Sequence, residues 1–130
     1  MNSILIVDDE RVNLDILNKM LNPYYTVYIT KSGATAIKIA NELLPDIILL
    51  DILMQNMNGY EVLETLKASE ITRHIPVIFI TGLESDEDEK KGRALEVVDY
   101  IRKPMEPGVV LKKVRDQIQI INQARKSSES

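Results

Sequence analysis

The sequence contains no cysteine, and this absence excludes disulfide bonds and thiolate-bound metals. It also has no apolar run long enough to cross a bilayer, and its N-terminus lacks the basic region and apolar stretch of a signal peptide. We therefore expect a soluble, cytoplasmic protein that does not enter a membrane. The 130 residues are the size of one domain, and 45 % of them are hydrophobic, which is enough to form a core without cross-links.

Basic residues are also fewer than acidic residues, and the formal net charge is −4. This balance argues against direct binding of nucleic acid. The charges are unevenly spread: residues 84–89 are nearly all acidic, and basic residues are concentrated from Lys90 onward. Solvated helix faces are the simplest interpretation. The alternative is an acidic helix that docks on a basic helix in a homodimer.

What the sequence does contain is a regular alternation of short apolar runs and helical patterns. Continuous runs of aliphatic residues are typical of strands that are buried on both faces of a parallel sheet. Apolar residues at helical spacing separate these runs, and Ser32 and Asn58 are placed to cap two of the helices. The predicted strands are Ser3–Val7, Thr26–Ile29, Ile47–Leu50, Val77–Ile80 and Val98–Ile101.

Five helices are predicted between and after these strands. The first covers Arg11–Leu21, and the last begins at Glu106-Pro107, where a missing N–H costs little. The fourth, Asp86–Ala94, has almost no apolar stripe and contains Gly92, so we expect a marginal, mobile helix. The first helix is indicated by the helical spacing of Val12, Ile16, Leu17, Met20 and Leu21. The apolar faces of the other helices are Ala36, Ile37, Ala40 and Leu44 in the second, Val62, Leu63 and Leu66 in the third, and Val110, Val114, Ile118 and Ile121 in the last.

This alternation predicts an α/β protein of the (βα)5 pattern, with one five-stranded parallel sheet between two layers of helices. Right-handed crossovers and the strand order 2-1-3-4-5 of flavodoxin-like folds place the first strand beside the third. We expect a single domain over residues 1–123, followed by a polar, frayed tail over residues 124–130.

Polar residues follow four of the five predicted strands. Asp8 and Asp9 follow the first strand, Asp51 the third, Thr81 the fourth, and Lys103 comes shortly after the fifth. Because ligands bind at the carboxyl ends of the strands in an open parallel sheet, we expect these side chains to meet at one edge. Clustered carboxylates repel one another, and a divalent cation such as Mg²⁺ relieves that repulsion.

The same cluster is suited to a phosphoryl group. A carboxylate can attack phosphorus to give an acyl phosphate, while Lys103 supplies a compact positive charge for the incoming oxygens. Thr81 offers a hydroxyl donor, and Gly82 leaves the following backbone N–H accessible. Each residue alone has a simpler explanation: a helix N-terminus for Asp8 and Asp9, a strand end for Thr81 and a turn for Lys103. The conjunction of four strand ends, in order, favours the phosphoryl site.

Taken together, these residues resemble the receiver domain of response regulators in two-component signalling. The resemblance covers residues 2–123 or so, and the separations between the matching residues are those of the family. The matching residues are Val7-Asp8-Asp9-Glu10, Leu49-Leu50-Asp51-Ile52-Leu53-Met54 with Gly59, Thr81-Gly82, and Asp99-Tyr100-Ile101-Arg102-Lys103-Pro104.

The resemblance implies an acceptor and a metal site. Asp51 would accept a phosphoryl group from a histidine kinase or a histidine phosphotransfer protein. Mg²⁺ would be bound by Asp9, Asp51 and the main-chain carbonyl of Leu53, with Asp8 helping through water. The protein would then be no enzyme in the ordinary sense, because its chemistry would be limited to Mg²⁺-dependent self-phosphorylation and slow self-dephosphorylation.

The resemblance also implies how the signal would leave the site. Lys103 and the backbone at Leu53 and Gly82 would bind the phosphoryl group. Thr81 would turn toward it, and Tyr100 would move inward behind Thr81. These movements would shift the face formed by the fourth helix, the fifth strand and the last helix. That face would then regulate a downstream protein or an attached output domain, and a homodimer formed on phosphorylation is one form of this output.

Several positions depart from the usual pattern of the family. Gln55 stands where proline is common, which predicts a less rigid loop after the third strand. Glu96 replaces a common glycine, and Met105 replaces a common phenylalanine, both on the output side. Leu53 and Leu83 flank the expected route of the hydrolytic water. Because apolar side chains orient water poorly, we predict a long-lived phosphoryl group.

Two other functions compete with a signalling switch. A Mg²⁺-dependent phosphatase of the haloacid-dehalogenase type needs a second aspartate two residues after the first, where this chain has Leu53. A flavodoxin-like electron carrier needs a loop rich in Ser, Thr or Gly after the first strand, where Asp8-Asp9-Glu10 would repel phosphate. The sequence leaves open the cognate kinase, the oligomeric state and the presence of further domains.

Overall fold

Five parallel strands form one sheet in the order 2-1-3-4-5, as predicted. The computed structural model describes residues 1–82 and 97–129, so the predicted fourth helix, the acidic run, Leu83 and Glu96 lie outside the described residues. In chain order the elements are β1 Ser3–Val7, α1 Arg11–Leu21, β2 Thr26–Thr30, α2 Gly33–Leu43, β3 Ile47–Asp51, α3 Gly59–Ala68, β4 Val77–Thr81, β5 Asp99–Arg102 and α4 Pro107–Glu129. The predicted strands agree with these bounds to within one residue.

The sheet separates two apolar clusters, because successive side chains of a strand point to opposite faces. Residues such as Leu5, Leu50 and Phe79 pack on one face with α2 and α3. Residues such as Ile4 and Leu49 pack on the other face with α1 and α4. Both β3 and β4 are buried at every position, which explains their continuous apolar runs. Each fully buried aliphatic side chain contributes roughly 1.5–3 kcal/mol to folding.

Side-chain caps begin the two helices on the α2–α3 face. The hydroxyl of Ser32 accepts a hydrogen bond from the Thr35 N–H at 3.2 Å. Asn58 accepts from the Glu61 N–H at 3.0 Å, and the Glu61 carboxylate accepts from the Asn58 N–H at 3.4 Å, which completes a capping box. Both predicted caps are confirmed, and the second fixes α3 directly after the loop that leaves Asp51.

The predicted helix Arg11–Leu21 is confirmed, but not all of the apolar residues that indicated it face the core. Val12 and Ile16 are exposed, with 67 % and 39 % of their surface accessible, whereas Leu14, Leu17 and Leu21 are fully buried. Both sets recur at helical spacing, and two apolar faces overlap on this short helix. Contact with the sheet, which periodicity does not reveal, selects the leucine face.

The predicted core face of α2 was wrong at one position. Ala36 and Ala40 are buried, but Leu44 is exposed and lies beyond the end of the helix at Leu43. Leu44 precedes Pro45, which disfavours the right-handed helical conformation in the residue before it. Leu44 instead takes a left-handed conformation, with φ 47°.

The last helix is longer than predicted. α4 continues to Glu129, so the tail expected to be frayed from residue 124 is helical, and residue 123 marks no helix end. Two contacts with distant parts of the chain hold this region: Arg125 pairs with Asp46, and Asn2 donates to Asn122 at 3.0 Å. The predicted apolar face is buried up to Ile118. Among the described residues, no helix has the length and apolarity required to cross a membrane.

Candidate functional site

The sheet order brings the predicted site residues to one edge. β3 lies between β1 and β4, and β5 pairs with the outer side of β4. In the register of these strands Val7 lies beside Leu50 and Asp51 beside Ile80, so the residues that follow β1 meet the end of β3. Thr81 lies beside Arg102, which places Lys103 one residue beyond the paired edge.

Three carboxylates form the centre of the site. Asp8, Asp9 and Asp51 each offer a carboxylate oxygen, and these oxygens lie within 4.8 Å of one another. Asp8 is fully buried and Asp51 is 2 % exposed, while Asp9 is half-buried at the rim. Carboxylates at such distances repel strongly when all three are ionised, because little water screens them.

One ammonium group offsets part of this negative charge. The Nζ of Lys103 lies 3.3 Å from Oδ1 of Asp51 and 3.9 Å from Oδ2 of Asp8. Among the described residues, Lys103 is one positive charge against three carboxylates, which leaves an excess of negative charge. The position of Lys103 confirms the predicted meeting of this side chain with the two buried aspartates.

Burial and the neighbouring charges change the pKa of Asp51. The pKa of its carboxyl is raised to about 7, first by burial and then by the charge of Asp8, against the opposing effect of Lys103. The carboxyl therefore holds a proton to neutral pH when no cation is present. A bound cation would favour the ionised form, which is the nucleophilic form.

Two oxygens of the cluster are left without hydrogen bonds. The Oδ2 atoms of Asp8 and Asp51 are buried and have no hydrogen-bond partner among the described residues. Unsatisfied buried carboxylate oxygens are costly, and they fit a ligand that supplies positive charge. The donor set consists of oxygen alone, which suits Mg²⁺. The residues present therefore fit the predicted cation.

Gly59 allows the chain to pass close to the end of β3. A Cβ at this position would lie 2.5 Å from the carbonyl oxygen of Asp51 and 2.8 Å from the Cα of Ile52. The N–H of Gly59 also donates to the carbonyl of Ile52 at 2.8 Å. The sequence indicated Gly59 only as part of a matching motif, and the structure supplies the physical reason for it.

The residues of the predicted switch lie along β4 and β5. Thr81 is 2 % exposed at the end of β4, and its hydroxyl donates to the carbonyl of Gly82 at 2.9 Å. Tyr100 is buried on β5, with its ring 6.3 Å from the ring of Phe79. Phe79 in turn makes an edge-to-face contact with Tyr60 at 5.5 Å. The structure thus places Thr81 at the site and Tyr100 in the aromatic cluster beneath β4.

Leu53 and Met105 take different environments. The side chain of Leu53 is 71 % exposed in the loop after β3, so it contributes nothing to the core. Met105 is half-buried and packs against the cluster on the α1–α4 face. A methionine therefore fills apolar space directly after Lys103-Pro104.

Two main-chain donors contact the site aspartates, and the sequence interpretation missed both. The N–H of Glu10 donates to Oδ1 of Asp8 at 3.0 Å. The N–H of Gln55 donates to Oδ2 of Asp9 at 3.1 Å, from the loop that follows β3. Every residue except proline carries such a donor, so its partner depends on the path of the loop.

Comparisons with known proteins identify the family of this chain. The family model of the response regulator receiver domain matches residues 4–115. A probable cyclic di-GMP phosphodiesterase from Vibrio cholerae is 40 % identical over 117 residues, which are 90 % of this chain but 26 % of that protein. The chain thus spans about a quarter of that relative.

Two shorter relatives match over most of their own length. The polar-differentiation response regulator DivK of Brucella ovis is 36 % identical over 104 residues, which are 79 % of this chain and 85 % of DivK. The crystal structure of the chemotaxis protein CheY4 of Vibrio cholerae superposes with a TM-score of 0.84 at 25 % identity, over 89 % of this chain and 98 % of that chain. The resemblance is therefore confirmed, and the chain belongs to the response regulator receiver domain family.

Proposed function

We propose that this chain is a phosphoryl-accepting signalling switch whose acceptor is Asp51. The observation that carries the proposal is a buried carboxylate with a raised pKa, held 3.3 Å from an ammonium group at the carboxyl edge of the sheet. An oxygen of Asp51 would attack the phosphorus of a phosphohistidine. As the new P–O bond forms, the P–N bond breaks, and the histidine nitrogen keeps the electron pair.

The contacts of the three aspartates favour Asp51 over its neighbours as the acceptor. Asp8 accepts a hydrogen bond from the Glu10 N–H, and Asp9 accepts one from the Gln55 N–H. Asp51 has the closer contact with Lys103, at 3.3 Å against 3.9 Å for Asp8. The ammonium group can follow the developing charge on the phosphoryl oxygens. The backbone at Leu53 and Gly82 would bind the same oxygens.

Mg²⁺ is the cofactor that fits this donor set. Asp9, Asp51 and the main-chain carbonyl of Leu53 would hold it, with Asp8 acting through water. When bound, it would neutralise the carboxylates and the phosphoryl oxygens. The side chains already present would then orient the acceptor oxygen, and Lys103 would pair with the transferred group.

Thr81 and Tyr100 would carry the signal away from the site. Thr81 ends the strand that contains Phe79, and the Phe79 ring contacts Tyr100 on β5. A turn of the Thr81 hydroxyl toward the phosphoryl group would vacate space above this aromatic cluster, and Tyr100 would move inward. The surface of β5 and α4 would change, together with the segment predicted as the fourth helix.

Family membership supports a proposal for the partners and the location. A histidine kinase or a histidine phosphotransfer protein in the cytoplasm would supply the phosphoryl group. A downstream protein, an attached output domain or a second copy of the chain would read the changed face. The receiver domain would cover residues 1–123, and α4 would continue beyond it as additional helical turns.

The direct test is the intact mass of the protein after incubation with acetyl phosphate and MgCl₂. We expect one phosphoryl adduct on the wild type, no adduct on Asp51→Asn and no adduct when EDTA is present. Asp15→Asn is the matched control, because Asp15 is an exposed aspartate on α1 that pairs with Arg11. An adduct that persists in Asp51→Asn, or one that is absent from the wild type, would reject the proposal.

A further inference from the structure

The loop between β3 and α3 contacts the site through a main-chain donor at Gln55. Its N–H donates to Oδ2 of Asp9 at 3.1 Å, while its side chain is exposed to solvent. Asp9 lies 46 residues earlier, at the end of β1, so this contact joins two of the segments that form the site. A proline at this position would have no N–H and could not make this hydrogen bond.

The contact is part of a defined loop conformation. The N–H of Met57 donates to the carbonyl of Gln55 at 2.8 Å, and Asn56 between them has φ 68°, a left-handed value that asparagine tolerates. Met57 also packs closely against the start of α2, since a Cβ on Gly33 would lie 3.2 Å from the Met57 side chain. These contacts fix the loop on the C-terminal side of the donor.

We propose that Gln55 is a positioning residue for the cation, and that its main-chain N–H holds the Asp9 carboxylate in the three-aspartate cluster. The inference rests on the proposed function, because the cation is the Mg²⁺ of that function. Asp9 is the least buried of the three aspartates, so packing alone restricts its side chain least. One hydrogen bond fixes the carboxylate and ties it to the loop that carries Leu53.

The hydrogen bond leaves room for a cation on the same carboxylate. It involves one oxygen of Asp9, and a carboxylate has about four acceptor positions. The three aspartates offer oxygens within 4.8 Å of one another while the bond is in place. Groups that orient metal ligands from outside the coordination sphere typically change metal affinity about 10- to 100-fold. Because Asp9 lies at the rim, we expect an effect near the lower end.

Calorimetric titration with MgCl₂ at pH 8 tests the inference on three proteins. Gln55→Pro removes the N–H, and we expect its dissociation constant for Mg²⁺ to rise about tenfold. Gln55→Ala removes the side chain and keeps the N–H, and we expect wild-type affinity. A third protein, with an ester in place of the amide between Met54 and Gln55, removes the N–H without a proline ring and is expected to match Gln55→Pro.

The unfolding of each protein in urea separates positioning from stability. If the proline and ester proteins lose stability but bind Mg²⁺ as the wild type does, the bond only closes the loop and the inference is overturned. Tighter binding by either protein would also overturn it, because the bond would then compete with the cation. Either result leaves the proposed function intact, provided that the wild type accepts a phosphoryl group on Asp51. A wild type that binds no Mg²⁺ overturns both.

Discussion

Two aspartates at opposite edges of the sheet show how the same side chain serves two purposes. Asp46, at the amino edge, accepts hydrogen bonds from the Ser3 N–H at 2.8 Å and from Asn2 at 3.3 Å, and it pairs with Arg125. Burial raises its pKa, but these donors outweigh burial and hold the pKa below its ordinary value. Asp51, at the carboxyl edge, has one buried oxygen without a partner among the described residues and a pKa of about 7.

The unfavourable electrostatic energy of the two aspartates is therefore concentrated at the carboxyl edge of the sheet. At the amino edge the carboxylate is satisfied by the protein itself, and its contacts hold the start of β1 and the end of α4 together. At the carboxyl edge the protein leaves negative charge uncompensated, as expected where a cation and a phosphoryl group are to bind. The contacts at the amino edge contribute to stability, whereas the uncompensated charge at the carboxyl edge costs stability.

Replacing each aspartate by asparagine should change stability in opposite directions. In EDTA at pH 8, Asp51→Asn removes a buried like charge, so we expect the free energy of unfolding to rise by a few kcal/mol. Asp46→Asn leaves Arg125 without its partner and weakens three hydrogen bonds, so we expect a loss of roughly 1–3 kcal/mol. Urea denaturation followed by circular dichroism measures both. If both substitutions raised, or both lowered, the free energy of unfolding, the proposed difference between the two edges would be wrong.

A methyl group at Gly59 should destabilise the carboxyl edge. In Gly59→Ala the new Cβ would meet the Asp51 carbonyl oxygen at 2.5 Å, and main-chain atoms give way poorly, so we expect a cost of about 1–3 kcal/mol. Gly108→Ala is the control, because the space around its Cβ is free of described atoms to 4 Å in α4. There alanine should stabilise the helix slightly. Equal stabilities for the two variants would contradict the close approach at Gly59.

The two aspartates should also give opposite pH dependence. The folded state holds the Asp51 proton more tightly than the unfolded state, in which an aspartate has a pKa of about 3.9. The stability that Asp51 contributes is therefore complete below that value and is lost as pH rises through about 7. For Asp46, whose folded pKa is lowered, the contribution is present above the unfolded pKa and is lost on acidification.

Urea denaturation of the wild type and both variants in EDTA, from pH 3 to pH 8, measures these dependences. The stability gained by Asp51→Asn should grow between about pH 4 and pH 7 and then level off. The stability lost by Asp46→Asn should shrink below about pH 4. A gain that is independent of pH would show that Asp51 is an ordinary carboxylate.

The smallest expected effect concerns the lifetime of the phosphoryl group. Leu53 is 71 % exposed beside the acceptor, and we expect Leu53→Asn to shorten the half-life a few-fold because an amide can orient water. Leu43→Asn is the control, since Leu43 is an exposed leucine on α2. Loss of the adduct mass with time, after acetyl phosphate is removed, gives the rates. Rapid loss from the wild type, unchanged in Leu53→Asn, would contradict a long-lived phosphoryl group.

The sequence predicted the members of the site because each one follows an apolar run. Asp8, Asp51 and Thr81 stand where buried strands end, and the order of a doubly wound sheet then brings them to one edge. The caps at Ser32 and Asn58 were equally local, because the cap and its partner lie three residues apart. Sequence patterns within one strand or one helical turn were sufficient to predict these strand ends and caps.

What the sequence did not predict depends on contacts between distant segments. The length of α4 depends on Arg125 and Asn122, whose partners lie 79 and 120 residues away. The burial of Leu14 in preference to Val12 depends on how α1 rests on the sheet. The bond from Gln55 to Asp9 uses a main-chain group that nearly every residue has, so no residue type indicates it.

The most direct test of the central claim is the position of the phosphoryl group. Protein phosphorylated with acetyl phosphate and MgCl₂ is treated with borohydride, which reduces an aspartyl phosphate to homoserine, and is then sequenced by tandem mass spectrometry. The account predicts conversion at Asp51 and at no other aspartate, with none after treatment with EDTA. Conversion at Asp8 or Asp9 while Asp51 stays intact would contradict it.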